Sequence, residues 1–343
     1  MKKLFSILTL ILLLPTLAFA GGAVLKNHVK AGFVYVGPVG DHGWTYMHDQ
    51  GRQMVEDELG DKVSTVYVES VPEGPDAARV MRNMAQSGVD IIFTTSFGYM
   101  DQTLKVAKEF PNVKFEHATG YKRSENVSVY SSRFYEGRYI QGVIAGHMSK
   151  AGKAGYIASF PIPEVIRGIN AFYLGATSVN PDFDLDIIWV NTWYDPAKEA
   201  QAAEVLITGG VDIITQHTDS PAPLQTAASK NIYAFGQASD MIAFAPKTQL
   251  TSIMDNWGPY YVSRIKALMN GMWESEDTWG GMRTGMVGMA PYTNMPDDIK
   301  AIALEIEHAI LNGDLNVFDG ITNDSGLLGM MNYLDGIDAS VPN

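Results

Sequence analysis

Cysteine is absent from the 343 residues. That excludes disulfides, thiolate metal sites and cysteine nucleophiles, and lipid attachment through an N-terminal cysteine is not expected. Positive charge is scarce. There are 25 Lys and Arg against 38 Asp and Glu, giving a net charge of −13. With no basic block, the chain is a poor nucleic-acid binder, because phosphate contacts need clustered cations. Long apolar runs are also missing. After residue 20 nothing approaches the ~18 consecutive apolar residues of a membrane span, so the remainder reads as soluble. What is present is 46% hydrophobic and 18% charged. That is a globular composition, long enough for roughly two domains.

The first 20 residues read as an address. Lys2 and Lys3 precede an apolar stretch over residues 4–14, Pro15 and Thr16 break it, and Ala18-Phe19-Ala20 fits the small-x-small cleavage rule. Cleavage is expected after Ala20, which makes the chain an exported, periplasmic protein without a lipid anchor.

The chain repeats itself once. Lys30-Ala31-Gly32-Phe33-Val34 returns as Lys153-Ala154-Gly155-Tyr156-Ile157. Val66-Tyr67-Val68-Glu69-Ser70 returns as Ile188-Trp189-Val190-Asn191-Thr192. Gly88-Val89-Asp90-Ile91-Ile92 returns as Gly210-Val211-Asp212-Ile213-Ile214. The offsets are 123, 122 and 122 residues. Each segment is a short apolar run with β-branched residues, the pattern of a buried strand. Helical patterns separate them over 43–59, 75–86, 163–179 and 196–207. Alternating strands and helices predict parallel sheets covered on both faces. The fold expected is α/β, with two Rossmann-like lobes over 26–147 and 148–254. A strand at 250–254 and helices at 257–272 and 296–311 do not extend the repeat. They are expected to cross back, adding 257–283 to the first lobe and 284–343 to the second and making a multi-strand hinge.

In open α/β sheets, ligands bind beyond the carboxyl ends of the strands. The repeat assigns those loops to 37–44, 70–74 and 95–99 in one lobe and to 160–164, 192–196 and 217–221 in the other. Trp44 and Trp193 follow such strand ends in opposite lobes, an arrangement suited to clamping a flat ring. Phe97, Gly98 and Tyr99 belong to the loops, as do Asp41, Asp219 and Asp240. Gln216 and His217 end a strand. An ionised carboxylate accepts hydrogen bonds and cannot donate, so it favours a ring bearing an amino group, such as adenine. Asp41 reads equally well as a helix cap, and Asp195 as a cap only. Trp189 is assigned to a strand, Trp257 to a helix start, and Trp273 and Trp279 to a late surface segment.

Other chemistry finds no support. Gly37, Gly40 and Gly43 do not have dinucleotide-loop spacing, and neither a P-loop nor a G-x-S-x-G elbow occurs. The seven histidines lack metal-ligand spacing, and no cofactor is expected. Gly137, Gly142, Ala145 and Gly146 give the helix over 136–148 a small face for close packing.

Several segments together carry a resemblance. They are Gly37-Pro38-Val39-Gly40-Asp41-His42-Gly43-Trp44, Arg133-Phe134-Tyr135-Glu136-Gly137 leading to Gly142-Val143-Ile144-Ala145-Gly146, and Gly155-Tyr156-Ile157 with Pro161 and Pro163. Asn180-Pro181 and Thr251-Ser252-Ile253 complete the set. The chain resembles the basic membrane protein (BMP) family of ABC-transporter substrate-binding proteins, whose members include purine nucleoside receptors. The resemblance implies a type I periplasmic-binding-protein fold with three crossovers and a ligand in the cleft. It also implies an inner-membrane permease as partner and a monomeric receptor with no chemistry of its own. Trp44 takes the place of the aromatic that stacks on the purine, Trp193 that of the opposing aromatic, and Asp240 that of a ligand-contacting acid. Two positions depart from the family pattern. Thr45 stands where Asn is frequent, and Asp255 where nucleoside binders carry a Lys that meets the ribose. A free base, adenine for preference, therefore fits better than a nucleoside. The alternatives are a sugar or signal-molecule receptor of the same fold and, in another class, a periplasmic nucleoside hydrolase.

Overall fold

The computed structural model describes residues 25–342, and the expected signal peptide lies outside the described residues. The first half runs β1 (Val29–Val34), α1 (Trp44–Leu59), β2 (Val63–Val68), α2 (Pro75–Gln86), β3 (Ile91–Thr94), α3 (Met100–Glu109), β4 (Lys114–Ala118) and β5 (Val127–Ser132). The second half runs α4 (Phe134–Met148), β6 (Lys153–Ala158), α5 (Pro163–Thr177), β7 (Asp184–Trp189), α6 (Pro196–Thr208), β8 (Ile213–His217), α7 (Ala222–Ser229), β9 (Tyr233–Gly236) and β10 (Gln249–Asp255). There follow α8 (Gly258–Met269), β11 (Asp277–Gly280), β12 (Val287–Met289), α9 (Asp297–Asn312) and α10 (Asp324–Leu328).

These strands form two six-stranded sheets, ordered β2-β1-β3-β4-β5-β11 and β7-β6-β8-β9-β10-β12. All pairs are parallel except β10 with β12. The central strands β3 and β8 are buried along their whole length, as β-branched runs covered on both faces must be.

The duplication has a physical basis in each lobe. Gly88 and Gly210 end α2 and α6 with φ of 81° and 95°, backbone that only glycine adopts without strain. The acid two residues later then ties down the approach to the lobe's first strand. Asp90 accepts from Lys30 N at 2.8 Å, and Asp212 accepts from Lys150 N at 2.7 Å and Ala151 N at 3.0 Å. Even the irregular turns repeat. Ser70 after β2 and Asn191 after β7 have φ of 53° and 51°.

The chain passes between the sheets three times: from β5 into α4 and β6, from β10 into α8, and from β11 to β12. Helix α4 packs on α5, and α8 on α1. The α4–α5 contact is backbone to backbone. A Cβ on Gly142 would lie 2.0 Å from the Phe172 carbonyl oxygen, and one on Gly175 would lie 2.1 Å from that of Tyr139. The small face of α4 is therefore a packing surface. The largest apolar cluster runs unbroken from one lobe to the other through Tyr261, Trp257, Phe134 and Phe172.

The tryptophans late in the chain correct the surface assignment. Trp273 is buried, and its indole N–H donates to Glu116 Oε1 at 2.6 Å, beside the buried Arg264 that pairs with the same carboxylate. Trp279 lies within β11, next to β5 in the first sheet. The segment is a returning edge strand. Its polar flanks (Glu274, Ser275, Glu276) gave it the look of a surface loop.

Candidate functional site

The carboxyl ends of the two sheets meet where the lobes touch. On the first lobe, the loop from β1 to α1 is organised by Asp41. Its carboxylate accepts from the backbone N–H of Gly43 at 2.9 Å, Thr45 at 3.0 Å and Tyr46 at 2.9 Å. Those of Thr45 and Tyr46 are free donors of the first helical turn, so Asp41 caps α1 from two residues before its N-cap Gly43. Thr45 is buried and its hydroxyl accepts from Gly37 N at 3.1 Å. Both side chains set the loop and hold Trp44 at the first position of α1. The Trp44 indole N–H donates to the Thr95 carbonyl at 2.6 Å, just past β3. Its ring meets His48, Trp257 and Phe134 edge-on at 4.4, 5.4 and 5.8 Å between centroids. His48 stacks on Trp257 at 4.8 Å.

On the second lobe, Trp193 packs against Phe160 with centroids 5.1 Å apart, and its indole N–H is buried without a partner. Its carbonyl accepts from Asp219 N at 3.0 Å. The Trp44 backbone N–H from the other lobe faces the Asp219 carboxylate and draws its pKa down against burial. The approach is close enough that a Cβ on Gly43 would lie 2.6 Å from the Asp219 carbonyl oxygen. A second link runs from the Ser239 hydroxyl to the His42 carbonyl. The two tryptophan loops are thus joined through one residue, Asp219.

The remaining predicted positions divide. His217 is buried, with Nε2 3.5 Å from Glu164 Oε1 and Nδ1 unpartnered. Burial holds its pKa below the usual histidine value. Gln216 spends its amide N–H groups on the carbonyls of Thr218 and Ser220, both at 2.8 Å, and leaves Oε1 unpartnered. Phe97 borders a small cavity of about 30 Å³ with Ser131 and Glu164. Gly98 is exposed, and its N–H donates to Glu73 at 3.2 Å. Tyr99 sits in the first lobe's interior, its hydroxyl donating to the Val71 carbonyl at 2.5 Å. Asp240 is exposed at the rim, and its Oδ1 accepts from Ile242 N at 3.0 Å and Gln249 Nε2 at 2.8 Å. The structure therefore gathers Trp44, Trp193, Asp41, Thr45, His217 and Asp219 at the junction, and it engages Tyr99, Gly98 and Asp240 locally. Asp195 accepts from Lys198 N at the start of α6, as a cap.

The junction also holds buried groups outside the predicted set. Asp255 is the last residue of β10, and Trp257 follows two residues later at the start of α8. Both Asp255 oxygens and the Trp257 indole N–H are buried and unpartnered, as is Glu164 Oε2. Asp255 is the position at which the sequence departs from a ribose-contacting lysine, and it ends β10 as His217 ends β8. A groove of about 310 Å³ borders this end, lined by Met47, Met54, Ser239, Asp240, Asp255 and Trp257 among others.

The electrostatics are dominated by buried acids. Burial pushes Asp41 up to about 6 against the pull of its backbone donors. Burial also raises Asp219, and the charges of Asp41 and Glu199 raise it further. Asp255 is raised by burial and then by Glu164, with Arg138 opposing. Among the described residues no group of three or more His, Asp or Glu side chains is arranged to hold a metal ion. The junction offers flat aromatic faces, buried acceptors and a few unspent donors, which suits a small planar polar molecule.

Known proteins agree with this architecture. Residues 28–318 match the family model of Bmp, described as ABC transporter substrate-binding protein, PnrA-like. A purine-binding protein of Brucella abortus is 57% identical, covering 94% of this chain and 96% of its own. A putative ABC transporter glucose-binding protein of Haloferax volcanii is 39% identical, covering 94% and 83%. The crystal structure of a solute-binding protein of an ABC transporter system from Aeropyrum pernix superposes with a TM-score of 0.75 at 20% identity, covering 87% of this chain and 95% of that one. The chain belongs to the Bmp family of ABC-transporter substrate-binding proteins, with the two-lobed type I fold. Membership implies a small-molecule ligand and a membrane permease as partner, and the family's members are solute binders rather than enzymes.

Proposed function

We propose that the protein is an exported periplasmic receptor that captures a purine base, adenine before others, and presents it to an inner-membrane permease. The base is held between Trp44 and Trp193 when the lobes close. One observation carries this reading: the loops bearing the two indoles, on opposite lobes, meet at Asp219, which donates its N–H to the Trp193 carbonyl and lies against Gly43. The half-buried Trp193 supports it, because indole surface is left for a ligand to cover. So does the similarity to a protein named for purine binding. Preference for a base over a nucleoside rests on Asp255 standing where a ribose-contacting lysine is expected and on the engagement of the Thr45 hydroxyl by Gly37.

The mechanism is a population shift. In the open form each indole belongs to its own lobe. A purine docked on one gains the second stacking partner only on closure, and that difference in contact favours the closed form. Burying both ring faces adds to base–aromatic stacking of ~1–3 kcal/mol per base. No chemical step is required of any residue.

A sugar receptor is the second reading, favoured by the Haloferax relative named for glucose. Thermal shift of the full chain against adenine, hypoxanthine, adenosine, inosine, ribose and glucose separates them. The proposal expects the largest rise in melting temperature with a purine base. A larger rise with glucose or ribose would move the assignment to a sugar.

A further inference from the structure

Buried cations are few in this protein. Among the described residues they are Arg138, Arg167 and Arg264, and Glu116 takes Arg264 at 2.7 Å within the first lobe. Five buried acids stand at the junction: Asp41, Glu164, Glu199, Asp219 and Asp255. They feel one another. Asp41, Glu199 and Asp255 act on Asp219, and Glu164 acts on Asp255. Neither remaining arginine has its guanidinium end free for a ligand. Arg138 Nη1 donates to Gln141 at 3.1 Å and Thr215 at 3.4 Å, and its Nη2 donates to Gln237. Arg167 Nη1 donates to the Leu327 carbonyl at 3.4 Å, in the C-terminal segment. His217 adds no charge, since burial holds it below the usual histidine value. The acids border the space between the lobes. Asp219 lies where the two tryptophan loops meet. Glu164, with Oε2 unpartnered, borders the small cavity beside Phe97. Asp255, with both oxygens unpartnered, borders the groove beside α1.

We infer that the receptor selects its ligand by charge: the closed junction takes planar heterocycles that are neutral or protonated and excludes anions, nucleotides and ionised oxopurines among them. The inference rests on the reading that the ligand is a purine. Like charges brought together in a desolvated site repel strongly, and such repulsion is a recognised route to specificity. An interior with surplus acid responds by holding protons. An anion therefore enters only with one further proton, which amounts to binding its neutral form. Recognition of a phosphate or carboxylate would need an Arg or Lys with donors to spare, and neither buried arginine offers its guanidinium end. The net charge of −13 on the whole chain also repels anions. That long-range effect is screened by salt, whereas buried charges are screened much less.

Calorimetric titration of the full chain with adenine and with 8-azaadenine tests this. The second base has nearly the same shape, with nitrogen in place of C8–H. It loses its ring proton at mildly alkaline pH, where adenine stays neutral. The ratio of the two affinities cancels the titration of the protein's own acids. About two pH units above the ionisation of 8-azaadenine, measured in the same buffer, its affinity relative to adenine should be about a hundredfold below the ratio at low pH. Molar salt should leave that fall in place. Glu164→Gln and Asp219→Asn keep the shape of the side chain and remove its charge, so each should make the fall smaller. A variant that merely loosened the fold would weaken both bases and leave the ratio alone. A ratio independent of pH, a fall abolished by salt, or a fall that neither variant reduces overturns the inference and leaves purine binding intact. A chain that binds neither base at either pH overturns the purine reading and this inference with it.

Discussion

Trp193 and Asp255 mark the two kinds of residue at this junction. Trp193 is half-buried against Phe160, with its indole N–H unspent. If it forms one face of the clasp, Trp193→Ala removes a stacking partner worth ~1–3 kcal/mol, and adenine affinity measured by calorimetry falls about tenfold or more. Unchanged affinity removes Trp193 from the site. The place of Trp193 was legible in the sequence because the repeat told which strand ends lie on the same edge of each lobe, and Trp193 follows β7 by four residues. Asp41 and Thr45 were legible as positions, but their roles depended on geometry. Only the three backbone N–H groups converging on Asp41 mark it as a cap. Glu164 and Arg138 were not legible. A charged residue near a helix start or on a helix face ordinarily meets solvent, and their burial depends on α4 and α5 packing across each other.

At the scale of elements, the loop from β1 to α1 is a contact between the lobes. Gly43 touches the second lobe only when the lobes meet, and its missing side chain allows it. Gly43→Ala places a Cβ 2.6 Å from the Asp219 carbonyl oxygen. Overpacking costs about 1–3 kcal/mol, and here the cost falls on the closed form alone. The variant should bind its ligand roughly tenfold more weakly while the empty protein melts close to wild type. A large loss of melting temperature with normal affinity would mean that Gly43 serves the lobe and not the closure. The repeated segments located six strands, β3 and β8 among them because buried parallel strands are apolar throughout, but ran past the ends of β2 and β7, which are partly exposed edge strands. β4, β5 and α3 were not read as elements. β4 carries Lys114, Glu116 and His117 in its five residues, and two of these are buried through partners elsewhere in the chain, Arg264 and Thr94. β11 and β12, of four and three residues, are too short for periodicity to declare them. They become strands because sheet edges are available to pair with.

For the whole molecule, closure brings acids together. Asp41 and Asp219 face each other across the junction, with Glu199 and Asp255 nearby and no Lys or Arg charge among the causes acting on Asp219. Burial raises both carboxyls, Asp41 to about 6 from 3.8. A carboxyl with a higher pKa in the closed form binds more protons there than in the open form. Closure of the empty molecule is therefore best supported below 3.8 and loses that support as pH rises through about 6. Small-angle scattering should show the radius of gyration of the empty protein growing across that window, and a radius independent of pH would contradict it. A ligand that donates to these acids offsets the same repulsion, which couples binding to closure. The duplicated design and the return of the chain to both lobes were legible from the sequence. With three passages between the lobes, closure would bend several segments together and not swing one linker.

The most direct test is a crystal structure of the full chain grown with adenine. The account predicts the purine ring lying between the indoles of Trp44 and Trp193, about 3.5 Å from each face, with its amino edge toward buried carboxylate. A ring bound against other residues, or electron density for a sugar in its place, would contradict it.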